Sequence, residues 1–319
     1  MKLKEMYSAM VENAVKMDPR SKKAVSEDLR KAKEAYDTAK GLDKRFFDRQ
    51  SLIHPYHDSR IINGSGDEDV TDIMVGIDIG VEELLLADRL MEKGINIDLV
   101  VSHHPCARAL AQLDRVMGIQ SDIWEDKFGF SPEVARGIMK DRRAEVARGL
   151  SPVNHTRVLD AAKLLGIPLL CAHTVADNCV ATYLQKLFDR EKPSRLSNVL
   201  SMLKAIPEYQ NGMRHGGGPF ILLGNENDEA GKIFVDMTGG TGGPSGLFAR
   251  LHQSGVRTIV GMHCKEENYK VAKSEFINYV IAGHIPSDNL GLNLMFDAVE
   301  KRGKLNFLEC SGFRRYRRK

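Results

Sequence analysis

Ile97-Asp98-Leu99-Val100-Val101-Ser102-His103-His104-Pro105 is an apolar run that ends in two imidazoles and a proline. Its length and β-branched content predict a short buried strand, which Pro105 stops. Upstream, Val75-Gly76-Ile77-Asp78-Ile79 reads as another strand, with Glu82 to Lys93 as the helix between the two. Strand, helix, strand over residues 73 to 101 is a βαβ unit, and such a unit lays its strands parallel. Sites in open α/β sheets lie outside the carboxyl ends of strands, and His103 and His104 fall at such an end. Successive side chains on extended backbone point to opposite sides, so neighbouring histidines suit two ions lying side by side better than one.

Two further runs end in the same way. Ile167-Pro168-Leu169-Leu170-Cys171-Ala172 leads into His173-Thr174-Val175-Ala176-Asp177. Tyr279-Val280-Ile281-Ala282-Gly283 leads into His284-Ile285-Pro286-Ser287-Asp288. Three strand-like runs thus end in histidine, in a chain with only ten histidines, and two of them add a carboxylate four residues on. Imidazole and carboxylate together suit divalent zinc, iron, manganese or nickel. A carboxylate can also bridge two ions, which a neutral imidazole cannot.

These segments resemble the GTP cyclohydrolase type 2-like proteins, also called the NGG-interacting-factor-three-like family. Val75 to Ile79 and Asp98 to Pro105 are similar to that family's first signature, and Ala172 to Asp177 resembles its His-Thr-Asn-Leu-Asp element. Gly239-Gly240-Thr241-Gly242 is similar to its Gly-Gly-Ser-Gly turn, and Gly283 to Asp288 to its Gly-His-x-x-x-Glu element. The resemblance spans roughly residues 55 to 300 in the same motif order, with an insertion between the first two motifs. It implies a site for two divalent ions held by His103, His104, Asp177, His284 and Asp288, with His173 close by. It also implies a ring-like homo-oligomer, a hexamer, and an activity that opens a purine ring with loss of formate. Here the last acid is aspartate where the family has glutamate, one methylene longer, so a bridging role for Asp288 stays open.

The expected architecture is α/β: two α/β domains with mixed sheets flanked by helices and an extra N-terminal helical segment, with the metal site, as the resemblance implies, in the cleft between the domains. Residues 1–48 are the helical extension, broken at Asp18-Pro19, that packs on the core or on a neighbouring subunit. Residues 49–190 together with 276–319 make the first domain, which carries the metal ligands, and 191–275 make the second. The helical, charged stretch from 106 to 150, with the only tryptophan at Trp124, reads as a lid or a packing insertion.

Composition narrows the class. The 319 residues carry 46 Lys and Arg against 43 Asp and Glu, a net charge of +3, so no extended electropositive face for nucleic acid is implied. No apolar stretch approaches the roughly 20 residues that span a membrane. Met1 to Met6 lacks a secretory apolar core, and the five cysteines show no paired spacing, so a reducing, cytoplasmic setting is expected. Cys171 and Cys179 read as buried small apolar groups.

The glycine-rich Thr238 to Gly246 has neither the lysine of a nucleotide-binding P-loop nor a dinucleotide fingerprint. A tight connection, a subunit contact and a phosphate cradle all fit it. Gly216-Gly217-Gly218 reads as a flexible turn with His215 exposed beside it. His54, His57, His155 and His252 read as surface or structural groups. The basic tail Phe313 to Lys319 could touch RNA phosphates but reads as a solvated, frayed end.

Function follows as an expectation: a dinuclear, divalent-metal-dependent hydrolase of a small molecule, a nucleotide or related compound, acting through a metal-activated water. His173 and His263 are the proton-transfer candidates. The alternative is a non-catalytic metal-binding, metal-delivering or regulatory adaptor protein.

Overall fold

The computed structural model describes residues 1–318. The first sheet holds β1 (Ser59–Asn63), β2 (Asp72–Gly76), β3 (Leu99–Ser102) and β4 (Leu169–Ala172). The second holds β5 (Phe220–Leu223), β6 (Lys232–Asp236), β7 (Val256–Gly261) and β8 (Asn278–Ile281), and β9 (Asn306–Glu309) returns to the first. The spatial orders are β1-β4-β3-β2-β9 and β5-β8-β7-β6. One edge strand in each sheet, β1 and β5, is antiparallel; every other pairing is parallel. The protein is therefore α/β, with two mixed sheets flanked by helices.

The unbroken apolar runs follow from burial on both faces, as parallel strands require. Val75, Val101 and Leu170 point into the main core, whereas Met74, Val100 and Leu169 pack beneath the helices Val81–Glu92 and Arg157–Leu164. Each such side chain contributes roughly 1.5–3 kcal/mol. The main core is continuous from the first sheet through Val175, Ala176 and Leu292 to Phe234, Ile259 and Tyr279 of the second.

The middle of that core is the crossing of two helices, Thr174–Glu191 and His284–Val299. A Cβ on Gly291 would lie 2.6 Å from the Ala176 carbonyl oxygen, so this close approach needs glycine. The crossing sets Asp177, next to Ala176, against Asp288, about one turn before Gly291.

Three expectations are corrected. A return to the first domain at Phe276 would put the strand before His284 in the first sheet. That strand is β8, which lies between β5 and β7 of the second sheet. Its run Tyr279 to Ala282 is buried on both faces, a pattern that marks a central strand without saying of which sheet. The tail is not frayed. Phe313 is fully buried, and Arg315 donates to Asp297 at 2.6 Å and Glu300 at 2.7 Å with its side chain only 4 % exposed. Arg318 reaches the buried Glu208 at 2.7 Å. Glu208 lies far from the tail in sequence and Asp297 and Glu300 lie on the preceding helix, so composition could not pair them; Lys319 lies outside the described residues. Gly216 to Gly218 is more than a flexible turn, because the Gly217 carbonyl closes on Gly283.

The N-terminal segment divides. Leu3–Lys16 is a core helix, with Leu3, Met6, Met10 and Ala14 fully buried, because its apolar positions recur at helical spacing. Lys22–Thr38 buries only Val25. Arg20, between them, pairs with Asp18, Asp28 and Asp122 at 3.0, 2.6 and 2.8 Å, which ties the break to the insertion. The insertion forms the helices Ala107–Ala111, Leu113–Val116, Gly118–Phe128 and Pro132–Leu150, with Trp124 buried. No helix among the described residues is long and apolar enough to cross a membrane.

Candidate metal centre

Parallel strands put their carboxyl ends on one edge, and both sheets turn that edge to a common cavity of about 300 Å³. His103 and His104 follow β3, His173 follows β4, and His284 follows β8. Gly283 makes the last connection tight. It has φ +106, and a Cβ there would lie 2.3 Å from the Gly217 carbonyl oxygen. Asp177 comes in on the first turn of Thr174–Glu191, and Asp288 at the start of the second turn of His284–Val299.

All six side chains converge. His103 Nε2 is 3.4 Å from Asp177 Oδ1 and 3.4 Å from Asp288 Oδ1. The other Asp288 oxygen is 3.4 Å from His104 Nε2 and 3.7 Å from His284 Nε2. His173 Nε2 is 3.7 Å from Asp177 Oδ2. Two triads, His103–His104–Asp288 and His103–His173–Asp177, each bring three ligand atoms within 4.8 Å of one another. His103, Asp177 and Asp288 are buried, whereas His104 and His284 have side chains 27 % and 41 % exposed on the cavity side.

The remote ring nitrogens are tied down. His103 Nδ1 donates to the Ala172 carbonyl at 3.0 Å, His104 Nδ1 to Asp78 at 2.7 Å, and His173 Nδ1 to Asp58 at 2.7 Å. In the neutral ring each acceptor fixes the proton on Nδ1 and leaves the Nε2 lone pair facing inward. Asp58 and Asp78 were missed as functional residues. Asp78 stands within the first motif but carries no signal of its role; Asp58 has no sequence signal.

The site's own chemistry calls for a cation. His103 Nε2, Asp177 Oδ1 and both Asp288 oxygens are buried without a hydrogen-bond partner. An orphaned buried polar atom costs roughly 1–3 kcal/mol, so four at one place need a common partner. The spacing agrees: two ligands ~2.1 Å from a tetrahedral ion stand about 3.4 Å apart. These residues could hold a divalent metal ion.

Electrostatics within the cluster are tightly linked. Burial opposes charge on Asp288, yet His103, His104 and His284 hold its carboxyl well below the ordinary range. Burial, with help from Asp288 and Asp58, pushes Asp177 up to about 6. For His173 burial works downward, but Asp177 and Asp58 outweigh it and raise it to about 9. Burial lowers His284 and His263.

His263, after β7, stands beside the cluster, its ring centroid 5.0 Å from that of His284. It lines the cavity with Asp236, Met237, Lys265 and the glycine loop. The remaining histidines stay apart: His54 is buried against Tyr7, His57 lies beside Asp48, His155 meets the Leu150 carbonyl, His252 is near Glu275, and His215 is exposed. Cys171 and Cys179 are buried free thiols.

Fold and site together define a two-sheet α/β protein with a His–Asp cluster able to hold metal. Its chain is similar to the solved structure of a NIF3 superfamily protein from Sphaerobacter thermophilus, with a TM-score of 0.69 and 26 % identity over 80 % of this chain and 91 % of that one. Reduced HcgD from Methanocaldococcus jannaschii matches with a TM-score of 0.46 and 14 % identity, covering 79 % and 87 % of the two chains. TTHA1606 from Thermus thermophilus matches with 0.45 and 16 %, covering 84 % and 93 %. These two are too distant to inform the site. No family model matches the sequence, and no curated protein does.

Proposed function

We propose that the protein is a divalent-metal-dependent hydrolase with a dinuclear centre, acting on a nucleotide or related small molecule. The observation that carries this reading is Asp288. One of its oxygens faces His103 and the other faces His104 and His284, and neither has a hydrogen-bond partner. Asp288 would hold the metal together with His103 and Asp177 on one side and with His104 and His284 on the other. Bound divalent ions would polarise an electrophilic carbonyl, amidine or phosphoryl group and make hydroxide available near neutral pH.

The chain's own groups do the rest. Asp78, Asp58 and the Ala172 carbonyl hold the three imidazoles in the ligating tautomer. His173 belongs with the ligands or directly behind them. His263 is the proton-transfer group: it lines the cavity outside the ligand set, and its lowered pKa keeps it neutral and able to accept a proton at pH 7. The cavity supports turnover over the metal-carrier alternative, because His104 and His284 open onto space for a substrate. Assembly into a homo-oligomer, a hexamer by the resemblance, belongs to the same reading.

The test is metal content per chain by mass spectrometry, for the wild type and for His103→Ala and Asp288→Ala, followed by a nucleotide hydrolysis screen of the loaded protein. About two ions per chain, reduced in both variants, together with hydrolysis lost in both, is the expected result. Protein that takes up no zinc, iron, manganese or nickel sinks the proposal.

A further inference from the structure

The glycine loop after β6 is held from behind by the insertion. Gln120 Nε2 donates to the carbonyls of Gly239 at 2.8 Å and Thr241 at 2.6 Å. Arg142 Nε donates to the Gly242 carbonyl at 3.1 Å, and Asn268 Nδ2 to that of Gly243 at 3.2 Å. Four carbonyls in five residues are thus taken by side chains.

That arrangement aims the amides. No peptide among the described residues is cis, and across a trans peptide the N–H points opposite the preceding C=O. Tying back the carbonyls of Gly239, Thr241 and Gly242 therefore turns the N–H groups of Gly240, Gly242 and Gly243 away from the side chains that hold the loop. Those three amides donate to no acceptor among the described residues. Gly240 to Gly243 line the same cavity as His104, His284 and Asp288. A Cβ on Gly242 would lie 3.7 Å from His263 Cε1, and His263 stands against His284, so the loop is one imidazole away from the cluster.

Lys265 lines the cavity beside the loop and makes no ion pair among the described residues. The nearby acids are engaged elsewhere: Glu145 pairs with Arg142 at 2.7 Å, and Glu267 accepts from the Ser245 hydroxyl at 2.7 Å. The remaining carboxyl on that wall is Asp236, which burial pushes up to about 6.

We propose that the Gly239–Gly243 loop and Lys265 form a phosphate-recognition wall opposite the His–Asp cluster, so that the molecule handled there carries a phosphoryl group. Free amides and an ammonium supply what a tetrahedral oxyanion takes: several convergent donors and one countercharge. Only the location of the reacting group rests on the hydrolase reading; the wall itself does not need the metals. The insertion thereby has a role beyond packing, since Gln120 and Arg142 set the loop's orientation.

Inorganic phosphate binding, followed by isothermal titration of the whole protein both as purified and after chelation, tests this. The expected result is binding that persists without metal and in His103→Ala, and that weakens about tenfold or more in Lys265→Ala and in Gln120→Leu. Lys270→Ala, on an exposed face of the following helix, leaves it unchanged. Phosphate that binds only metal-loaded protein, with equal affinity in wild type and Lys265→Ala, overturns the proposal, because it is then a ligand of the metals alone. Acetate binding as tightly as phosphate overturns it too. Loss of hydrolysis with phosphate binding intact counts against the hydrolase reading and leaves this one standing.

Discussion

Asp58 and His173 are 115 residues apart in the chain and 2.7 Å apart in the fold. His173 Nδ1 donates to Asp58 Oδ2, and the Thr174 hydroxyl donates to the same oxygen at 2.7 Å. The pairing is a consequence of strand direction. β1 runs antiparallel to β4 in the register Ser59↔Ala172, so the residue before β1 meets the residue after β4. Both are buried, and among the described residues Asp58 alone accepts from His173 Nδ1.

Asp58→Asn keeps the size of that group and removes its charge. Carboxylates behind a ligating imidazole typically account for 10–100-fold in metal affinity, and a loss of that order is the expected outcome. Competition against a chromophoric chelator reads it directly. Affinity equal to that of the wild type places His173 outside the centre.

Asp236 makes a pH prediction for the chelated protein. Its carboxyl is pushed up to about 6 by burial, above the ordinary 3.8 that the unfolded chain retains. A raised group contributes stability that is full below the unfolded value and is lost as pH rises through the folded one. Wild type should therefore lose stability relative to Asp236→Asn between about pH 4 and pH 6, the variant being the more stable at pH 8. Urea unfolding at pH 4 and pH 8 measures both; parallel curves for the two proteins mean that the carboxyl is solvated.

Arg315 carries the ordered tail. Its guanidinium is enclosed and bonded to Asp297 and Glu300, and truncation leaves Asp297 without its ion-pair partner while Glu300 keeps Arg317 at 3.0 Å. Arg315→Ala should cost about 2 kcal/mol in urea unfolding, below the roughly 3–5 kcal/mol of a fully buried pair because the two acids are partly exposed. An unchanged midpoint shows that the Arg315 ion pairs contribute nothing to stability.

Much of the candidate His–Asp cluster was legible because it is local. A strand that ends in histidine, followed by a turn of helix ending in aspartate, is written in consecutive residues, and β3, β4 and β8 each repeat part of that pattern. The βαβ unit was legible for the same reason, since strand period and helix period are read within a few residues. Less legible was the sheet to which β8 belongs. Its two neighbours are distant in sequence, and burial on both faces looks alike in any central strand.

What the sequence determined alone is the set of candidate ligand types and their attachment to strand ends, because the spacing of apolar and polar residues dictates where each strand stops. The tertiary structure decided which carboxylate stands behind which histidine, that both Asp288 oxygens face imidazoles, and that the basic tail is bound by acids. These depend on strand register and on the close helix crossing at Gly291 and Ala176, contacts between residues far apart in the chain. Pairing over such distances is set by the packing of the whole core, and no local pattern encodes it.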